Sequence, residues 1–85
     1  MTTLEFTQEG SGYVARYVSW GAAVVQLERT GAGTVIVSAN FPGWERVEIS
    51  VLDADSNGVI FNAAIPSGLE VTIESASEVT RGQVK

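Results

Sequence analysis

Apolar and polar residues alternate along most of this chain, in short runs broken by glycine or proline. The cleanest run is Leu69 to Ser75, where Leu69, Val71 and Ile73 oppose Glu70, Thr72 and Glu74. A two-residue period marks a strand with one buried face. Ala22 to Glu28 repeats it, with Ala23, Val25 and Leu27 inward and Val24, Gln26 and Glu28 outward. In Tyr13 to Trp20, Val14, Val18 and Trp20 fall on one face with Arg16, and Tyr13, Ala15, Tyr17 and Ser19 on the other. That division leaves Tyr13 and Tyr17 as the more exposed aromatics. Val35, Ile36 and Val37 are consecutive, which suits a strand covered on both faces, by central placement in a sandwich or by a neighbouring subunit. A short first strand is expected at Leu4 to Thr7, and a last one near Gly82 to Lys85.

The richest stretch is Phe41 to Ile60, FPGWERVEISVLDADSNGVI. Trp44, Val47, Ile49 and Val51 share one face if a bulge lies near Glu45, and Arg46, Glu48 and Ser50 take the other. The alternation assigns the apolar set to the core. Asn57-Gly58 then reads as a hairpin turn, because two central residues at positive φ are what that dipeptide tolerates. Partner strand Val59 to Ala64 follows, and Ile65-Pro66-Ser67-Gly68 is a further turn.

No segment holds helical apolar spacing over three turns. Short strands with closely spaced turn signals predict an all-β, single-domain antiparallel β-sandwich (jelly-roll or Ig-like) of seven or eight strands. At 85 residues the chain has room for one core. A domain this small, lacking cysteine and therefore disulfides, often gains stability by oligomerising.

Charge and residue usage narrow the chemistry. Ten acidic residues face five basic ones, for a net charge of −5. Arg16, Arg29, Arg46, Arg81 and Lys85 are scattered, whereas a phosphate backbone asks for a clustered basic face, so nucleic acid is not an expected partner. No leader-like start and no apolar run long enough to span a bilayer is seen, so no membrane partner is expected. Histidine and cysteine are absent, the one lysine is Lys85, and no serine sits in a nucleophile elbow. The reading is not an enzyme, with no cofactor.

Three binding chemistries remain. Asp53-Ala54-Asp55-Ser56-Asn57-Gly58 matches the first half of a calcium loop, with Asp53, Asp55 and Asn57 as oxygen donors. Ala64 stands where the closing bidentate glutamate belongs, so a plain turn is preferred. Tyr13, Tyr17 and Trp20 are candidates for stacking on a sugar ring, giving a small carbohydrate-binding module as the alternative function. Val24, Ile36, Leu52 and Ile60 all fall on faces that the alternation assigns to solvent. Apolar residues gathered on a surface mark interfaces, so these four are the interface candidates and self-association or docking is the favoured function.

The run RTGAGTVIVSANFPGWERVEISV, followed by IPSGLEVTIES, resembles small β-rich proteins encoded near bacteriophage structural genes. The similarity covers Val24 to Ser75 and consists of turn and strand patterns. It implies a virion-associated role, as a capsid decoration or fibre accessory protein, with itself or a larger protein assembly such as a capsid as partner.

Overall fold

The computed structural model describes residues 1–85, in nine strands with no helix. They are β1 (Thr2–Thr3), β2 (Thr7–Glu9), β3 (Gly12–Val18), β4 (Ala22–Arg29), β5 (Gly33–Asn40), β6 (Val47–Ala54), β7 (Gly58–Ala64), β8 (Glu70–Ser75) and β9 (Val79–Val84). Two antiparallel sheets result, with strand orders β1-β9-β4-β7 and β2-β3-β8-β5-β6. Only β2–β3 and β5–β6 are consecutive strands paired in one sheet; every other connection passes from one sheet to the other. The sandwich class holds, with nine strands where seven or eight are expected, because the first segment divides in two and β9 forms at the C-terminal end.

The core lies between the two inner faces. Ala23, Val25 and Leu27 of β4, Ala63 of β7 and Val84 of β9 meet Ala15 and Tyr17 of β3, Val35, Val37 and Ala39 of β5, and Val71 and Ile73 of β8. Period-2 alternation puts each set on one side of its strand. Fully burying an aliphatic side chain of this size contributes about 1.5–3 kcal/mol. Leu4 and Phe6, expected in a strand, instead belong to the crossing between β1 and β2. Leu4 is buried, Phe6 packs on the core, and the Leu4 N–H donates to the Gly82 carbonyl at 2.8 Å. A Cβ at Gly82 would lie 3.0 Å from both Leu27 and Phe6, so glycine there lets the N-terminal segment close over the core.

The stretch from 41 to 60 departs most from expectation. Strands β6 and β7 sit in different sheets, so they are not a hairpin. Gly58 is not among the positive-φ glycines, and no other residue type has positive φ, which rules out the turn that Asn57-Gly58 suggests. Residues 55–57 cross the side of the sandwich instead. The face assignment of β6 is inverted at Ser50 to Leu52 only; past the bulge Val47 lies opposite inward Ala39, on the expected side, but uncovered. Leu52 pairs with inward Val35 and packs against the core, while Val47, Ile49 and Val51 are exposed. A one-residue change of register moves every side chain to the other face. Ser50 pairs with Val37 and Glu48 with Ser38, so Ile49 is the extra residue of a bulge.

Candidate interaction surface

Strands β6 and β7 are the free edges of their sheets on one side of the sandwich, and β1 and β2 on the other. The β6 side gathers the apolar surface. In the turn before β6, Gly43 has φ 83° and the Trp44 N–H donates to the Phe41 carbonyl at 2.9 Å. The Asn40 side-chain amide donates to the same carbonyl at 2.9 Å. This geometry sets the Phe41 and Trp44 rings edge to face, with centroids 5.5 Å apart. Trp44 is 72% exposed, Val47 64%, Phe41 59%, Ile49 54% and Val51 51%.

Beneath them lies a cavity of about 380 Å³ lined by Ala39, Phe41, Trp44, Val47, Ile49 and Leu69, with Asn40 and Glu45 at its margin. Ile49 also lines a second hollow of about 300 Å³, which opens between the β6 and β7 edges over Val37, Leu52, Phe61, Ala63 and Ile65. The surface is therefore an apolar strip running from the 41–44 turn, over the bulge, into a groove along the side of the sandwich. Glu45 is the one charged residue among those lining the two hollows. What the surface can do is lose water against another apolar face, at about 25 cal/mol for each Å² covered.

The four interface candidates from the sequence do not come together. Val24 and Ile60 are exposed on the outer face of the β4–β7 sheet, as neighbours on a diagonal, since Val24 pairs with Asn62 and Ile60 with Gln26. Ile36 is half-buried on the outer face of the other sheet, opposite Val51. Leu52 is not a solvent-face residue at all and packs inward. Sequence reasoning missed Trp44, Val47, Ile49 and Val51 because it placed them on the core face, and Phe41 because it read that residue as part of a turn. The signal that could have found them is Val51-Leu52, two adjacent apolar residues of which only one can face inward.

Nor do the stacking candidates form a platform. Tyr17, expected on the surface, is 7% exposed and belongs to the core, because Ala15 and Tyr17 pair with inward Ile73 and Val71. Its hydroxyl is buried with no partner in the chain, and burial pushes its pKa up. Trp20 is half-exposed and packs against the Tyr17 ring at 5.6 Å between centroids. Tyr13 is partly buried opposite Ser75.

In the 53–58 loop, the Asp53 carboxylate accepts from the Thr34 hydroxyl at 3.1 Å. No three His, Cys, Asp or Glu side chains cluster as metal ligands anywhere in the chain. The loop carbonyls face a cation supplied by the protein itself. The Arg29 guanidinium, 4% exposed, donates to the Ser56 and Gly33 carbonyls at 2.9 Å and reaches the Ala54 carbonyl at 3.4 Å and the Ser75 hydroxyl at 3.5 Å. The Arg29 backbone N–H donates to the Asn57 carbonyl at 2.8 Å. The oxygens held by this fork are backbone carbonyls, and the side chains of Asp53, Asp55 and Asn57 are not among its partners.

Buried serines serve the backbone. Ser19 donates to the Ile65 carbonyl at 2.8 Å, and Ser75 to the Ser77 carbonyl at 2.8 Å. The one bidentate ion pair, Arg16 with Glu9 at 3.1 and 3.3 Å, lies half-exposed at the β2–β3 edge of the sheet that holds β6, and its hydrogen bonds hold the Glu9 carboxyl below its ordinary value. No helix is long and apolar enough to cross a membrane. Compared with known proteins, the chain matches no family, no curated sequence and no solved structure.

Proposed function

We propose that this chain is a non-enzymatic interaction module that self-associates or docks on a larger protein assembly through the apolar strip of Phe41, Trp44, Val47 and Ile49. The observation that supports this reading is the exposure of Phe41, Trp44, Val47 and Ile49 around one hollow, each more than half open to water, with Val51 exposed beside Ile36 on the outer face of the same edge strand. A domain with an accessible surface of only 5016 Å² holds such a strip in water at a solubility cost, and patches of this kind mark binding sites. Two aromatic rings beside branched aliphatics are the residue types that anchor interfaces. The similarity of Val24 to Ser75 to small phage-encoded β proteins suggests the kind of assembly, a virion on which the module serves as a decoration or fibre accessory subunit. The carbohydrate-binding alternative draws less support, since Tyr17 is in the core.

Size-exclusion chromatography of extracts from cells that make the protein tests the reading. The wild type is expected to elute well above the 9.0 kDa of one chain, and the Trp44→Ser/Ile49→Lys double variant at that mass. A wild type eluting as a single chain, or a double variant that stays in the complex, would contradict it.

A further inference from the structure

The four free sheet edges are not equally guarded. Edges β1 and β2 are only 2 and 3 residues long. Edge β6 carries Glu48, Asp53 and the bulge at Ile49. Short length, charge and bulges are the devices by which proteins keep an edge from pairing. Edge β7, Gly58–Ala64, has none of them: it holds no charged residue and no proline, and its register with β4 is unbroken over 7 residues.

The direction of its free hydrogen-bonding groups follows from the register. Val24 and Lys85 exchange both backbone bonds at 2.9 Å, so Val24 points its N–H and C=O at β9. Alternation then turns Val25, Leu27 and Arg29 toward β7, as the bond from the Arg29 N–H to Asn57 shows. Their partners Phe61 and Val59 point back at β4. Ile60, Asn62 and Ala64 therefore aim their N–H and C=O groups away from the sheet. The Gly58 carbonyl on that side is already taken by the Ser56 hydroxyl; the groups of the other three have no partner in the chain.

We infer that a second copy of this chain pairs with β7, antiparallel and across a two-fold axis, joining the two β1-β9-β4-β7 sheets into one. This inference rests on the proposed reading of the chain as an association module and names the partner. A second copy fits because β7 complements itself. With Phe61 opposite its own copy on the axis, Ile60 faces Asn62, Val59 faces Ala63 and Gly58 faces Ala64, so away from the axis each larger residue meets a smaller one. Uncharged strands also bring no like charges face to face, although each chain carries −5. The pairing would set the partner's edge over the groove lined by Ile49, Leu52 and Phe61. A 7-residue strand is about 24 Å long, on a body whose least extent is 20 Å. That gives a flat contact on the order of 500 Å², near the roughly 600 Å² per partner at the low end of specific interfaces. The dimer is accordingly weak and dependent on concentration.

Sedimentation velocity on the purified full-length chain, from micromolar to millimolar, tests this together with amide hydrogen exchange at both limits. The expected result is a monomer–dimer equilibrium in which the Ile60, Asn62 and Ala64 amides gain protection at high concentration. Asn62→Pro removes an outward N–H without touching the β4 ladder, and Asn62→Lys places a charge on the edge; each is expected to leave a folded monomer. If Asn62→Pro fails to fold, Asn62→Lys alone decides. A dimer that survives Asn62→Lys, or gains no protection at these three amides, overturns the inference while leaving the association reading standing. A wild type that stays monomeric to millimolar concentration also overturns it, and the elution of the complex from cell extracts then judges the broader reading separately.

Discussion

Arg29 gives the sharpest stability prediction, because two opposing terms of similar size meet there. The guanidinium is buried without a carboxylate and ties three connections together: the 29–33 turn through Gly33, the 53–58 crossing through Ala54 and Ser56, and the end of β8 through Ser75. Two of its bonds are short at 2.9 Å, and hydrogen bonds to a charged group contribute about 1.5–3 kcal/mol each. Together they contribute about 3–6 kcal/mol before the cost of taking a cation out of water, which is several kcal/mol in a protein interior. Nε has no partner, so that cost is only partly offset. Arg29→Met keeps the length and removes both terms, for an expected net loss of about 1–3 kcal/mol. In a domain of this size that lowers Tm by roughly 5–20 °C, against a total stability of about 4–13 kcal/mol. Arg29→Lys is expected to fall between, since an ammonium cannot reproduce the planar fork. Thermal melts followed by far-UV circular dichroism measure the series. A methionine variant that melts at or above the wild type would refute the reasoning, by showing that the desolvation cost outweighs the bonds.

Other outcomes follow from the same structure. Tyr17→Phe removes a buried hydroxyl without a partner and is expected to leave stability unchanged or to raise it by about 1 kcal/mol; a clear loss in denaturant titration would mean that the hydroxyl is bonded. Burial raises the Tyr17 pKa, so its contribution to stability is present below the ordinary tyrosine value and lost as pH rises through the raised one, and Tyr17→Phe should flatten the alkaline limb of Tm against pH. Glu9 is shifted the other way by Arg16; its contribution is present above the ordinary carboxylate range and lost as pH falls through the lowered value, so Glu9→Gln should slightly flatten the acid limb. Gly82→Ala forces a Cβ to 3.0 Å from Leu27 and Phe6 and should cost about 1–3 kcal/mol in chemical denaturation. Because no three acidic side chains gather at the 53–58 loop and Asp53 is bonded to Thr34, Tm should be the same with millimolar calcium as with a chelator, and a rise with calcium would reveal a site that binds the folded state.

The sandwich and most of its core were legible in the sequence because β4 and β8 are flanked on both sides by other strands. There a strict alternation has one physical solution, and Val25, Leu27, Val71 and Ile73 face inward as the pattern requires. Strand β6 is an edge, covered on one side only, and local alternation there competes with pairing to β5. Opposite Val35, Leu52 wins the inward position and leaves Val51 outward beside Ile36; past the bulge at Ile49, Val47 lies opposite inward Ala39 but at an edge where nothing covers it. Asn57-Gly58 misled for a related reason: the dipeptide marks a change of direction, but not whether the chain returns within its own sheet or crosses to the next. Tyr17 was misplaced because Val14 and Val18 outweighed it in the pattern, whereas its pairing with Val71 puts it in the core. Arg29 carried no signal of its own, since a buried cation held by carbonyls is recognisable only once the three connections meet around it.

The central claim, that the strip from Phe41 to Ile49 is covered by protein in the cell, is tested most directly by a photo-crosslinking amino acid placed at Trp44. Gln8, exposed on β2 at the opposite side of the sandwich, is the control position. The expected result is a discrete adduct from position 44 whose mass identifies a second copy or one other protein, with none from position 8. Irradiated cells that yield no adduct from position 44, or the same diffuse products from both positions, would contradict the claim.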